Sequence, residues 1–487
     1  MKPGGATNRE TGIRRRSFLG SIASAAWVVG CIDLAPRYRR SPPPVPPNFP
    51  AGGVYPAAPA SELAAPAWRD FFSDPKLLRL IDLALRENRD LRAAAAQITQ
   101  ARARYQVQRA ALFPNVTAQA GASFLSEPNS VAAGTSTLAG SFNERLYSLT
   151  GGVASYELDL FGKVRDLTRA ARDQYLATKA GRDALQITLV ASIANQYLTL
   201  SADQALIVVA EETLASGEDS VAVTRQRFNS GIDDELALSQ AETIVQQARY
   251  QIERLRTQFA QDRDALDLLV GATVSDDLIP GADIHDVAVL EQLPQAVRST
   301  VLLTRPDVIQ AEDQLRATNA DIGAARAAFF PSIVLTGSGG VESLALANLF
   351  RGSSGTWSFD PSISQTIFDA GALRGNLLLA KAQRDQALAQ YEKAVQAAFR
   401  DVADALAVRG TIDRQLDAQQ RLVAANQTAE RIARARYESG SDTYLNWLIT
   451  QRSLFVAQQS LVSVELLRVQ NLVSLYAALG GGLDTAA

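Results

Sequence analysis

Histidine and cysteine occur once each in 487 residues. With one cysteine, Cys31, the chain cannot close a disulfide on itself. A zinc site built from several Cys or His ligands is equally out of reach. A Ser-His-Asp triad would have to use His285, which stands in the Pro/Gly/Asp-bearing stretch "LIPGADIHDV", so only carboxylate chemistry stays open. Nucleotide-cradling loops of the GxxxxGK[ST] or GxGxxG type are missing. Lys and Arg number 48 against 51 Asp and Glu, a net charge of −3, so no basic field invites nucleic acid. No cofactor and no enzymatic constellation is expected.

What is present begins at the N-terminus. "GIRRRSFLGSIASAAWVVGC" places three arginines before a short apolar run that ends at Gly30-Cys31. About a dozen apolar residues are too few to cross a bilayer as a helix and suit a secretory signal. The arginines are read as its basic n-region, although "RRSFLG" also resembles a twin-arginine signal. Val28-Val29-Gly30-Cys31 looks like a lipobox, which makes Cys31 the expected lipid-attachment residue and the mature N-terminus. Ile32 follows it; an Asp there would favour inner-membrane retention, so Ile32 leans to the outer membrane. One lipid-bearing residue anchors a protein weakly, so a second membrane element is expected. "APRYRRSPPPVPPNFPAGG" then reads as an extended Pro-rich tether with no capacity for a core.

The chain writes one pattern twice, "RFNSGID" at 227–233 and "RYESGSD" at 436–442. The offset that carries Gly231 onto Gly440 also carries Gly162 onto Gly371, Arg165 onto Arg374 and Gly271 onto Gly480. Upstream, "RAALFPNV" is echoed by "RAAFFPSI". A repeat of roughly 210 residues is far too long for a solenoid unit and signifies a duplicated half-protein.

Each half opens with a helical pattern, near 77–112 and 296–329, and changes to period two after Pro114 or Pro331. In "NVTAQAGASF", Val116, Ala118, Ala120, Ala122 and Phe124 share one face. In "TWSFDPSISQTIF", Trp357, Phe359, Ile363 and Ile367 do the same. Further strands are expected near 149–160 and 332–341, with loops at 125–147 and 343–355. Helical periodicity then runs from Lys163 to Phe228, about 100 Å at 1.5 Å per residue. Return helices follow near 234–270 and 443–479. Alternating strands suit a soluble sandwich or a lipid-exposed barrel. Four strands are too few for a membrane barrel, so that option requires several chains to share one.

"LALRENRDLRAAAAQITQARARY", "FFPSI", "TRPDV", "SQTIFDAG", "RYESGSDTYLNWLITQRSLFVAQQSL" and the closing "LYAALGGG" together resemble the outer membrane factor family, the TolC-like, NodT-type efflux lipoproteins. The resemblance runs from about residue 30 to 483. It implies a mainly α protein with a membrane β portion, three chains forming a 12-stranded barrel continued by a periplasmic α-barrel. Expected partners are two further copies, a periplasmic adaptor, an inner-membrane transporter and outer-membrane lipid. On this basis residues 1–30 are a signal peptide and 31–66 the lipidated tether. Residues 67–274 and 293–483 are the two repeats, 275–292 a linker between them and 484–487 a tail. The function implied is a passive exit duct for small toxic compounds. A protein-secretion duct and a coiled-coil lipoprotein without a channel are the competing functions.

Gly231 and Gly440 suit positive φ at helix ends, Arg227 and Arg436 offset the helix dipole, and Asp233 and Asp442 can cap the helices that follow. The resemblance makes this turn, with Ser230 and Ser439, the tip that an adaptor meets. It also places an iris-like gate just beyond the second turn, at Leu445 and Ile449 near Asp442. The family holds an acidic residue where this chain has Ile449, so closure here would be apolar. Trp447 is expected to pack between helices. Trp357 and Phe359 are candidates for an interfacial aromatic girdle.

Overall fold

In the computed structural model the described residues are 33–56, 67–128, 141–284 and 299–482. Cys31, His285 and the signal region lie outside them. Four strands form one antiparallel sheet in the order β1 (Val116–Pro128), β2 (Ser141–Glu157), β3 (Ser332–Ser343) and β4 (Gly355–Ser364). Val116 pairs with Val153, Leu149 with Val341 and Ile333 with Ile363, with an irregularity between Val153 and Tyr156.

β1 and β2 reach well into the stretch expected as a loop at 125–147, because their ladder continues through the Leu125–Glu144 pair as far as Pro128 and Ser141. β4 stops at Ser364 rather than Ile367. There Asp369 takes over, its carboxylate accepting the backbone N–H groups of Gly371 (2.9 Å) and Leu373 (2.6 Å) to start the next helix.

Eight helices accompany the sheet among the described residues. They are α1 (Trp68–Phe71), α2 (Pro75–Glu87), α3 (Arg89–Ala110), α4 (Lys163–Asn229), α5 (Glu235–Val270), α6 (Pro306–Ala327), α7 (Ala372–Glu438) and α8 (Tyr444–Ala478). α4 and α7 have 67 residues each, about 100 Å of helix at 1.5 Å per residue. The duplication is visible in the backbone. Gly162 and Gly371, Gly231 and Gly440, and Gly271 and Gly480 all adopt positive φ, between 72° and 94°.

The chain divides into two compact units. One holds residues 1–39, 102–174 and 315–387, with the sheet; the other holds 40–101, 175–314 and 388–487, with the hairpin turns.

The first lead-in helix is not continuous over 77–112. Asn88 ends α2 and starts α3, its Oδ1 accepting the Leu91 N–H (2.9 Å) while its Nδ2 donates to the Leu269 carbonyl (2.8 Å). The second begins only at Pro306, after a short 3₁₀ turn at Ser299–Thr304. α5 closes beside the first break through Gly271, which has φ +80°, and a Cβ there would lie 2.7 Å from the Glu87 carbonyl oxygen. Gly271→Val therefore combines an unfavourable φ with a backbone clash. We expect it to cost about 2 kcal/mol or more. Gly231→Val has φ +72° and open space around it and should cost about 1 kcal/mol. Thermal unfolding midpoints of the two variants check the order.

Residues 33–56 do not hang as a free tether. In the first unit Arg169 pairs with Asp33 (3.0 Å), Arg326 donates to the Leu34 carbonyl (2.9 Å) and Asn319 to that of Pro36 (2.7 Å). In the second, Arg40 forks onto buried Glu312 (3.0 and 2.5 Å), Ser299 donates to the Pro47 carbonyl, and Phe49 stacks on Phe399 with ring centroids 4.7 Å apart. A Pro-rich strand with few N–H donors still presents carbonyls. Side chains on and before α6 supply the missing donors.

Candidate functional site

The two hairpin turns, both in the second unit, share one backbone solution. Gly231 N–H donates to the Phe228 carbonyl and Ile232 N–H to that of Arg227. In the second copy Gly440 donates to Tyr437 and Ser441 to Arg436, all at 2.9–3.0 Å. This is a Schellman-type stop, which uses left-handed glycine to satisfy the last helical carbonyls.

The side chains then break the symmetry. Arg227 Nε donates to Asp233 Oδ2 (2.8 Å), and its guanidinium lies 4.7 Å over the ring of Tyr437. The Tyr437 hydroxyl reaches both Asp233 Oδ2 (2.5 Å) and Thr224 Oγ1 (2.9 Å). Tyr437 is fully buried. Burial acts to raise the Asp233 pKa, but the bonds from Arg227 and Tyr437 outweigh it and hold the carboxyl below its ordinary 3.8. The Tyr437 hydroxyl is pushed up to about 12, by burial and then by Asp233.

The equivalent acid of the second copy does none of this. Asp442 stays at the surface and accepts from Thr443 N–H (2.8 Å) and Asn446 Nδ2 (2.6 Å). The two copies also differ at the aromatic position: Phe228, which has no hydroxyl, is 38% exposed, whereas Tyr437 is buried.

Capping also differs from expectation. Asp234 caps α5 by accepting from Ala237 N–H (2.9 Å), which leaves Asp233 for the ion pair. α8 starts after Thr443 without a side-chain cap bond among the described residues. Ser230 and Ser439 turn their hydroxyls back onto the Gln226 and Arg436 carbonyls, and Arg436 itself stays exposed.

Past the second turn, α8 sorts its residues by face. Leu445 and Ile449, one turn apart, are 49% and 52% exposed, whereas Trp447 and Leu448 are buried. Trp447 packs on Tyr437 and Tyr444 at centroid distances of 5.4 and 5.7 Å, and its Nε1 donates to Glu430 (2.8 Å). Behind this cluster α4 presents Ser216, Ser220 and Thr224 at one-turn spacing. Gln451 Nε2 donates to Ser220 (2.8 Å), so the two hairpins meet through a polar seam.

Sequence inspection missed Tyr437, Thr224 and Glu430 as members of this site. The Phe-to-Tyr difference inside the repeat was the available signal. In the other unit Trp357 (82% exposed) and Phe359 (60%) stand two residues apart on β4. Among the described residues no group of three or more His, Cys, Asp or Glu could hold a metal ion. None of their helices is long and apolar enough to cross a membrane, which says nothing of strands.

Residues 80–272 and 297–481 match the family model of the outer membrane efflux protein, one segment per repeat. The chain belongs to the outer membrane efflux protein family. It is 44% identical over 464 residues to the toluene efflux pump outer membrane protein TtgC of Pseudomonas putida, covering 95% of each chain. It is 37% identical to the probable outer membrane lipoprotein SilC of Salmonella typhimurium, covering 95% of this chain and 98% of that one. Among solved structures, a membrane protein from Pseudomonas aeruginosa aligns with TM-score 0.85 at 39% identity, covering 93% of this chain and 99% of that one. The open-state MtrE channel of Neisseria gonorrhoeae aligns with TM-score 0.82 at 34% identity, covering 93% and 98%. This efflux protein therefore has the TolC-like fold, resides in the outer membrane and serves there as the channel component of efflux.

Proposed function

We propose that three copies of this efflux protein close a single 12-stranded barrel and form a duct for small toxic compounds. The observation that carries this is the sheet itself. Four strands end in two edges, β1 and β4, that have no partner among the described residues. On β4, Trp357, Phe359 and Ile363 share one face and are all more than half exposed. Open edges cannot stand in hydrocarbon, since each unpaired backbone group there costs several kcal/mol. Edge-to-edge pairing of β4 with β1 of the next copy removes every edge, and the apolar face then meets lipid.

Cys31 carries the lipid, and Trp357 and Phe359 sit in the aromatic girdle. The turn around Arg227, Ser230, Gly231, Asp233, Arg436, Ser439 and Gly440 receives a periplasmic adaptor, which in turn meets an inner-membrane transporter. Leu445 and Ile449 of three copies close the mouth by apolar contact and dewetting, without an acidic ring. TtgC and its counterparts bear the names of toluene and antibiotic pumps, which supports apolar or amphipathic cargo.

Native mass spectrometry of the detergent-extracted protein tests the assembly. A trimer of chains that begin at a lipid-bearing Cys31 is expected. A monomer would leave the sheet edges open and sink the duct.

A further inference from the structure

Two turns along α8 from Tyr444, a cavity of about 550 Å³ opens between the α4–α5 and α7–α8 hairpins. That volume is in the range that takes a drug-sized molecule. All of its wall comes from the second unit. Ile244, Ala248, Leu454 and Phe455 supply apolar surface, and Glu212, Glu430 and Arg452 bring charges of both signs rather than a field of one sign.

Gln451, 93% buried by its 7% exposure, is part of the wall. Its amide orientation is settled by its neighbours. The Ser220 hydroxyl already donates to the Ser216 carbonyl (2.9 Å), so toward Gln451 it can only accept, and Nε2 must face it (2.8 Å). Gln451 Oε1 is then a buried acceptor without a partner among the described residues. A buried acceptor of this kind retains its desolvation cost until a donor reaches it.

We infer that this cavity is a binding site for an uncharged aromatic molecule carrying one hydroxyl or amine donor, which bonds to Gln451 Oε1. The apolar walls hold the ring system and the donor satisfies the orphan oxygen. Because the wall is shared by both hairpins, an occupant favours the arrangement in which they are packed together, by mass action. The site lies within one protomer, so it goes beyond the duct reading and stands or falls independently of trimer closure.

Fluorine NMR on the full-length protein in detergent tests it, using a fluorinated naphthol and the matching fluoronaphthalene that lacks the hydroxyl. Saturable binding of the naphthol is expected, about tenfold tighter than that of the hydroxyl-free probe. Gln451→Met should erase this tenfold difference between the two probes. Ala248→Leu, which fills the cavity, should abolish saturable binding of both. If Ala248→Leu does not fold, the comparison of two probes on Gln451→Met still decides. Equal affinity of the two probes for the wild type, an advantage that survives Gln451→Met, or micelle partitioning alone would each overturn the assignment.

Discussion

Trp447→Ala is expected to lower the protection of α8 amides near residues 444–460 against hydrogen exchange more than a hundredfold. Trp447 has no exposed surface and packs against Tyr437, Tyr444, Ala241 and Ile244. Removing a fully buried tryptophan costs about 3–5 kcal/mol, part lost transfer energy and part cavity. It also strips Glu430 of the indole N–H. A large helical hairpin opens locally before it unfolds globally, so exchange rather than a melting point reports the loss. Trp447→Phe keeps most of the packing and loses only the N–H bond, so about 1 kcal/mol is expected there. A change below threefold for Trp447→Ala would mean that the cluster does not hold the hairpins together.

The second large effect concerns the pore. With Asp233→Asn, single-channel recordings in planar bilayers should show the open population rising roughly tenfold or more. Asp233 is the centre of the tip network, bound at once by Arg227 and Tyr437, and charge-assisted hydrogen bonds contribute roughly 1.5–3 kcal/mol each. Tyr437→Phe removes the hydroxyl bonds but leaves Arg227 paired with Asp233, so a smaller rise is expected.

The pH dependence has a definite sign. The folded-state pKa of Asp233 lies below 3.8, so its contribution is fully present above 3.8 and is lost as pH falls through the lower folded value. Wild-type channels should therefore open on acidification below about pH 4, and Asp233→Asn channels should not respond in that window. Conductance of Asp233→Asn indistinguishable from wild type would remove the network from the closing mechanism.

Much of this architecture was legible in the residues, for identifiable reasons. Pro114 and Pro331 mark the change from helix to strand because proline cannot continue a helix in register, and the long helices carried unbroken periodicity up to the glycine turns. The break at Asn88 was hidden because Asn is tolerated in helices; what ends α2 there is a tertiary bond to the Leu269 carbonyl. The β1–β2 extension was hidden because strands with a wet face take the same Ser and Asn residues as loops. At the tip, Arg227, Asp233 and the glycines stood out through repetition. Tyr437 did not, because its role depends on Thr224, which lies 213 positions away and which no local pattern pairs with it.

The N-terminal strap has a consequence for how the molecule is made. Its carbonyls and Arg40 find their partners 252 to 292 residues downstream, at Ser299, Glu312, Asn319 and Arg326, whereas Asp33 pairs with Arg169, 136 residues on. Apart from that one ion pair, its bonds to these residues cannot form until more than half of the chain has been made. Such distant closures carry the largest entropic cost and come late in folding. The segment is therefore laid down onto α6 late, once the first helix of the second repeat is in place.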